Sequence, residues 1–165
     1  MRKKLIYRLA IIAILAALSS ALRIWMAAFP NVKPITAMFF AFAIVLGLSD
    51  SLWIMALTML ATGLLLGFSP LVLGQIIVYA IIIVIFKSLS VLTDNIWLLS
   101  VLTAVLAMVF GVLISFISGM IYGFGAGGFV GYWLAGLPFD LAHAISTFIF
   151  FPIVMLILRR IKTLK

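Results

Sequence analysis

Residues 96–117 read Ile96-Trp-Leu-Leu-Ser-Val-Leu-Thr-Ala-Val-Leu-Ala-Met-Val-Phe-Gly-Val-Leu-Ile-Ser-Phe-Ile117, a run without a single charged side chain. A helix needs about 20 predominantly apolar residues to cross the hydrocarbon of a bilayer. This run supplies them and lacks the sustained period-two alternation of a barrel strand. Within lipid, helices and closed barrels are the structures that satisfy their own backbone hydrogen bonds. The stretch therefore predicts a membrane-crossing helix, and a second apolar run at 71–86 repeats the signal.

The rest of the chain agrees. Of its 165 residues 68% are hydrophobic and only 8% charged, with a mean hydropathy of +1.48. A soluble domain of this size buries roughly 70% of the surface its unfolded chain exposes and covers the remainder with charge; this chain has too little charge to do so. An all-α integral membrane protein follows, as a single transmembrane domain over residues 1–165. The N-terminal Met1-Arg2-Lys3-Lys4 imitates a secretory signal, but the apolar stretch at 9–29 is too long for one and reads as the first span.

Spans are expected at about 5–28, 35–48, 51–66, 73–86, 96–122 and 138–160, six in all. The second and third are short, so they form either a tight pair that stops inside the bilayer or tilted, partly broken helices. The breaks are Phe29-Pro30-Asn31-Val32-Lys33-Pro34, then Gly47-Leu48-Ser49-Asp50, then Gly67-Phe68-Ser69-Pro70, then the polar 87–95 and the glycine-rich 123–136. In the last span Pro138 suits the first helical turn. Nine of the eleven Lys and Arg fall at the two termini and at Lys87, against Lys33 in an outer loop and Arg23 within the first span. By the positive-inside rule both termini are cytoplasmic, which demands an even number of crossings; four would fit the charges as well as six. The net charge of +8 thus reflects membrane orientation, and no nucleic-acid partner is expected.

Chemistry-bearing residues are few. Asp140 and His143, three apart on one helical face, would bond each other or jointly meet a ligand, or Asp140 would simply support its helix N-terminus. Arg23 either snorkels to the interface or reaches into a cavity to hold an anionic group. Gln75 aims its amide at a ligand or at a neighbouring helix. Asn31 and Lys33 lie on backbone that cannot be helical, which makes them a cavity wall or an ordinary turn. Tyr122, Tyr132 and Trp133 are interfacial anchors or a lid over an apolar ligand. Ala13, Ala17 and Ala21 form a smooth strip on the first helix, suited to close approach of a partner helix or to packing within the chain.

One histidine makes no metal site, and the chain has no cysteine, hence no disulfide, thiolate chemistry or cysteine-held metal. Gly123-Phe-Gly-Ala-Gly-Gly128 fits a dinucleotide fingerprint in spacing but follows a membrane helix rather than a strand. There is no phosphate-binding lysine loop, and three acidic residues leave little for acid–base catalysis. No catalytic residue, no cofactor and no enzymatic activity are expected.

The segments Pro30-Asn-Val-Lys-Pro-Ile-Thr-Ala37, Gly67-Phe-Ser-Pro-Leu-Val-Leu-Gly-Gln75 and Ala135-Gly-Leu-Pro-Phe-Asp-Leu-Ala-His-Ala144 resemble those of the substrate-binding S components of energy-coupling factor (ECF) vitamin transporters. The similarity is greatest to the small cobalamin-type members. The resemblance implies a subunit of an ABC importer in a prokaryotic cell membrane that binds a vitamin tightly from outside. It would deliver the vitamin by toppling against a transmembrane coupling subunit driven by two ATPase subunits. The substrate-binding residues it nominates are Asn31, Lys33, Phe68, Gln75, Tyr132, Trp133, Asp140 and His143, and the coupling-subunit interface is the strip Ala13, Ala17 and Ala21. In similar proteins the loop after the third helix carries a tryptophan and an extra glycine where this chain has Ser69-Pro70-Leu71-Val72. Cobalamin is the expected substrate; pantothenate, pyridoxine, folate or riboflavin are the alternatives. A self-sufficient secondary transporter, a lipid-modifying enzyme and a ligand-free structural subunit are the competing classes.

Overall fold

The helix at the centre of the molecule is also its shortest. In a computed structural model that describes residues 2–29 and 31–163, α2 (Ile35–Val45) has its first nine residues, Ile35 through Ala43, all buried. At 1.5 Å per residue its 11 residues extend about 16 Å, roughly half the hydrocarbon thickness. A helix apolar on every side belongs in the interior, and the other helices surround it. These are α1 (Arg2–Trp25), α3 (Leu48–Leu66), α4 (Pro70–Leu89), α5 (Ile96–Tyr122) and α6 (Gly128–Thr163), with a 3-10 turn at Ser90–Leu92 between α4 and α5. Pro30 and Lys165, which figure in the outer loop and the basic C-terminus, lie outside the described residues, as does the side chain of Lys162.

The described residues contain five helices long and apolar enough to cross a membrane, with α2 as the short sixth. Of the two helices expected to be short, α2 is, at 11 residues, while α3 has 19 and is among the five. The outward faces of these five are apolar, with Leu64, Trp25 and Leu156 exposed, an arrangement compatible with a lipid surround.

Local signals explain the boundaries. Gly47 at φ 102° permits the reversal from α2 into α3, a conformation open to glycine at no steric cost. Pro70 occupies the first turn of α4, where its missing N–H is not needed. Asn95 caps α5, its side chain accepting from Trp97 N at 2.9 Å and Leu98 N at 3.3 Å. The start of α6 departs most from expectation: it begins at Gly128, so Pro138 and Pro152 are inside it. Proline within a membrane helix is tolerated because neighbouring groups satisfy the freed carbonyl.

Contacts set the helix directions. Arg8 pairs with Asp50 at 2.5 Å near the starts of α1 and α3, while Arg23 meets Thr62 near their ends, so the two run parallel. A three-residue turn reverses α4 against α3. Phe86 and Phe151 stack edge to face at 5.6 Å, and Tyr79 and His143 both reach Thr36, which makes α6 parallel to α4. Arg2 and Thr163 consequently lie at one end of the bundle, together with Lys87. The core running through it is aromatic: Phe40 packs on Phe86 at 4.6 Å, Phe39 on Tyr79 at 5.5 Å and Tyr79 on Phe110 at 4.3 Å.

Candidate ligand-binding cavity

At the end of the bundle opposite the described basic termini, the chain leaves α1 and crosses to α2 through residues 26–34. Asn31 adopts φ 58°, a left-handed conformation that asparagine tolerates better than most residues. Two hydrogen bonds fasten this loop to α6: Asn31 Nδ2 donates to the Phe139 carbonyl at 3.0 Å, and Ser146 Oγ donates to the Lys33 carbonyl at 3.2 Å. Beneath it is a cavity of about 90 Å³.

Thr36, in the first turn of α2, ties the floor together. Its Oγ1 lies 3.0 Å from Tyr79 Oη on α4 and 2.8 Å from His143 Nε2 on α6, and all three residues are buried. The hydroxyl relays one donor and accepts one, so Thr36 bonds both neighbours in either tautomer of a neutral His143. Phe110 of α5 meets the imidazole edge to face at 5.5 Å. Replacing Thr36 with Val keeps the shape and removes both bonds. We expect Thr36→Val to destabilise the protein by about 2 kcal/mol, the scale of buried groups left unpaired, and Thr36→Ser to restore most of it. Denaturant unfolding in detergent reads the difference, and equal stability of the Val and Ser variants would show that the relay contributes nothing.

The opposite wall is cationic. Arg23 Nη1 donates to Thr62 Oγ1 at 2.9 Å, with Met59 Sδ beside it, and Nη2 donates to Gln75 Oε1 at 3.2 Å. Lys33 completes the lining with Asn31, Thr36, Gln75, Tyr79 and His143 around apolar Ile35 and Phe110. Burial, and then the charge of Arg23, push the Lys33 ammonium below its ordinary pKa.

Of the residues nominated from sequence, the structure brings Asn31, Lys33, Gln75 and His143 into this cavity. The others sit elsewhere. Phe68 is half exposed in the turn after α3. Tyr132 bonds Ser118 Oγ on α5 at 2.8 Å and presents its ring to Phe124. Trp133 and Asp140, seven apart on α6 and so on one face, are not part of the cavity lining; the buried indole N–H and the buried carboxylate are instead neighbours of each other. Asp140 lies against Gly111 of α5 and does not bond His143, whose partner is Thr36.

The placements on α6 share one cause. Because α6 starts at Gly128, Tyr132 and Trp133 are helical residues rather than parts of a mobile glycine-rich lid, and Asp140 is twelve residues inside the helix, beyond reach of its N-terminus. Arg23 faces the cavity instead of snorkelling. Thr36, Tyr79 and Phe110 were not anticipated, although Tyr79 follows Gln75 by four and thus shares its helical face. Ala13, Ala17 and Ala21 are exposed on α1, while Ile12, Ala16, Ser19 and Ser20 form its buried side. No protein-family model, curated protein or solved structure matches this chain.

Proposed function

We propose that this chain is the substrate-capture subunit of an energy-coupling factor importer, crossing the cell membrane six times with α2 counted as a partial crossing. Both termini are cytoplasmic in this reading, since the basic residues gather at their end of the bundle. The observation that carries it is the polar cavity at the opposite, outward end, where four residues from three separate segments resembling S components converge: Asn31 and Lys33, Gln75, and His143. A solute enters from outside beneath the loop at 26–34. The exposed strip Ala13, Ala17 and Ala21 then offers the coupling subunit a surface for close helix packing, and two ATPase subunits supply the energy. The chain itself binds and releases, without catalysis.

Size bears on the substrate. A cavity of about 90 Å³ is smaller than the roughly 300 Å³ or more typical of ligand pockets. A corrin would require the loop at 26–34 to swing away from α6, breaking the Asn31 and Ser146 bonds. Smaller vitamins of the same panel, pantothenate and pyridoxine, demand less opening and rank ahead of cobalamin.

Calorimetric titration of the purified protein in detergent against cobalamin, pantothenate, pyridoxine, riboflavin and folate tests the reading. We expect nanomolar binding of one compound, about −12 kcal/mol, weakened at least tenfold by His143→Ala. Failure of every compound to bind would remove the capture function.

A further inference from the structure

We propose that the cavity is an oxyanion site, in which the Arg23 guanidinium and the Lys33 ammonium together hold the carboxylate or phosphate group of the ligand. The inference rests on the capture reading for the source of that group, a solute from outside, and adds its chemical class.

The argument is one of charge balance. Arg23 and Lys33 line the same small cavity, and among the described residues no carboxylate lines it. The chain has three acidic residues. Asp50 is engaged by Arg8 at the far end of the bundle, Asp94 lies in the connection before α5, and Asp140 occupies the α5–α6 seam against Gly111. The partners of Arg23 are neutral: a threonine hydroxyl, an amide oxygen and a thioether. These occupy Nη1 and Nη2, and a guanidinium carries five N–H donors, so capacity remains. Charged side chains within membrane segments face a partner or a wetted cavity, and a half-buried cation beside a second one lacks the charge that would compensate it.

The neutral lining fits an anion too. Asn31, Thr36, Gln75 and Tyr79 bring hydrogen-bonding groups without adding negative charge. Burial and Arg23 already weaken the hold of Lys33 on its proton; an anion between the two cations reverses that effect. The volume admits a single charged group, so the remainder of the ligand projects outward under the loop at 26–34.

Thermal unfolding of the full chain in a neutral detergent tests this, with sodium phosphate and sodium acetate as probes against sodium chloride at matched ionic strength. A bound anion raises the midpoint by mass action. We expect at least one oxyanion to raise it above chloride in the millimolar range, and Arg23→Gln and Lys33→Met each to weaken the apparent affinity tenfold or more. Should Arg23→Gln fold poorly through loss of its Thr62 and Gln75 bonds, Lys33→Met, in a loop, carries the test. A rise that both variants retain, or no rise with either oxyanion, overturns the site. The vitamin panel repeated on Lys33→Met separates the two readings: a compound bound equally by wild type and variant keeps capture and overturns the oxyanion site. Phosphatidylglycerol retained through purification by wild type and lost from Lys33→Met, with no panel compound bound, supports the oxyanion site and overturns capture in favour of a lipid headgroup.

Discussion

Gly111→Val is expected to destabilise the protein by about 3 kcal/mol, the upper part of the usual range for overpacking a core. A Cβ placed on Gly111 would overlap all three atoms of the Asp140 carboxylate group, so the absence of a side chain on α5 is what lets α6 pass with an aspartate facing it. Asp140 is 7% exposed, and its side chain is too short to swing clear of the seam. The prediction has an internal control. Asp140→Ala removes the obstructing group, so in the Gly111→Val background it should recover most of the lost stability, giving a coupling energy of about 1 kcal/mol or more, as neighbours in contact show. Unfolding of the four proteins in detergent closes the cycle. Additive effects would mean that the two side chains do not meet.

The same pair separates seam from site. The Asp140 carboxylate has the Trp133 indole N–H for a neighbour on the same face of α6, and removing the acceptor leaves that buried donor unpaired, at a cost of about 1–3 kcal/mol. Asp140→Ala alone should therefore cost stability on that scale yet leave ligand affinity unchanged, since Asp140 does not line the cavity, whereas His143→Ala, one turn along α6, lowers affinity.

Hydropathy located α5 at residues 96–122, the span it has in the structure, because a long uncharged run bounded by Asn95 and Gly123 admits one reading. It misplaced the start of α6 by ten residues, since Gly136 and Pro138 act as punctuation in water but are accommodated inside membrane helices. The cavity was half legible. Asn31 and Lys33 announced themselves by sitting on non-helical backbone, and Gln75 and His143 by being polar where polarity is expensive. Thr36 did not, because a threonine hydroxyl also bonds its own helix backbone. Arg23 was visible but ambiguous: near a helix end, a long cation reaching for the interface and one turned inward look identical in sequence.

The role of α2 was hidden for a related reason, and it supports the remaining large prediction. In a soluble protein, apolar periodicity distinguishes the buried face of a helix from the wet one. In lipid both faces are apolar, so a helix wrapped by protein and a helix wrapped by acyl chains carry the same hydropathy. What separates them is the response to truncation. Phe40 is fully buried in α2 and packs on Phe86, so Phe40→Ala leaves a void that protein must line, and the expected loss is about 3–5 kcal/mol. Leu64 on α3 is 75% exposed; there Leu64→Ala exchanges one lipid contact for another and should stay within about 0.5 kcal/mol of wild type. Because Thr36 lies one turn from Phe40 on the same helix, the void also loosens the cavity floor, and Phe40→Ala should weaken ligand binding while Leu64→Ala does not. Equal losses of stability from the two truncations would return α2 to the lipid and dissolve the framework that positions Thr36 against Tyr79 and His143.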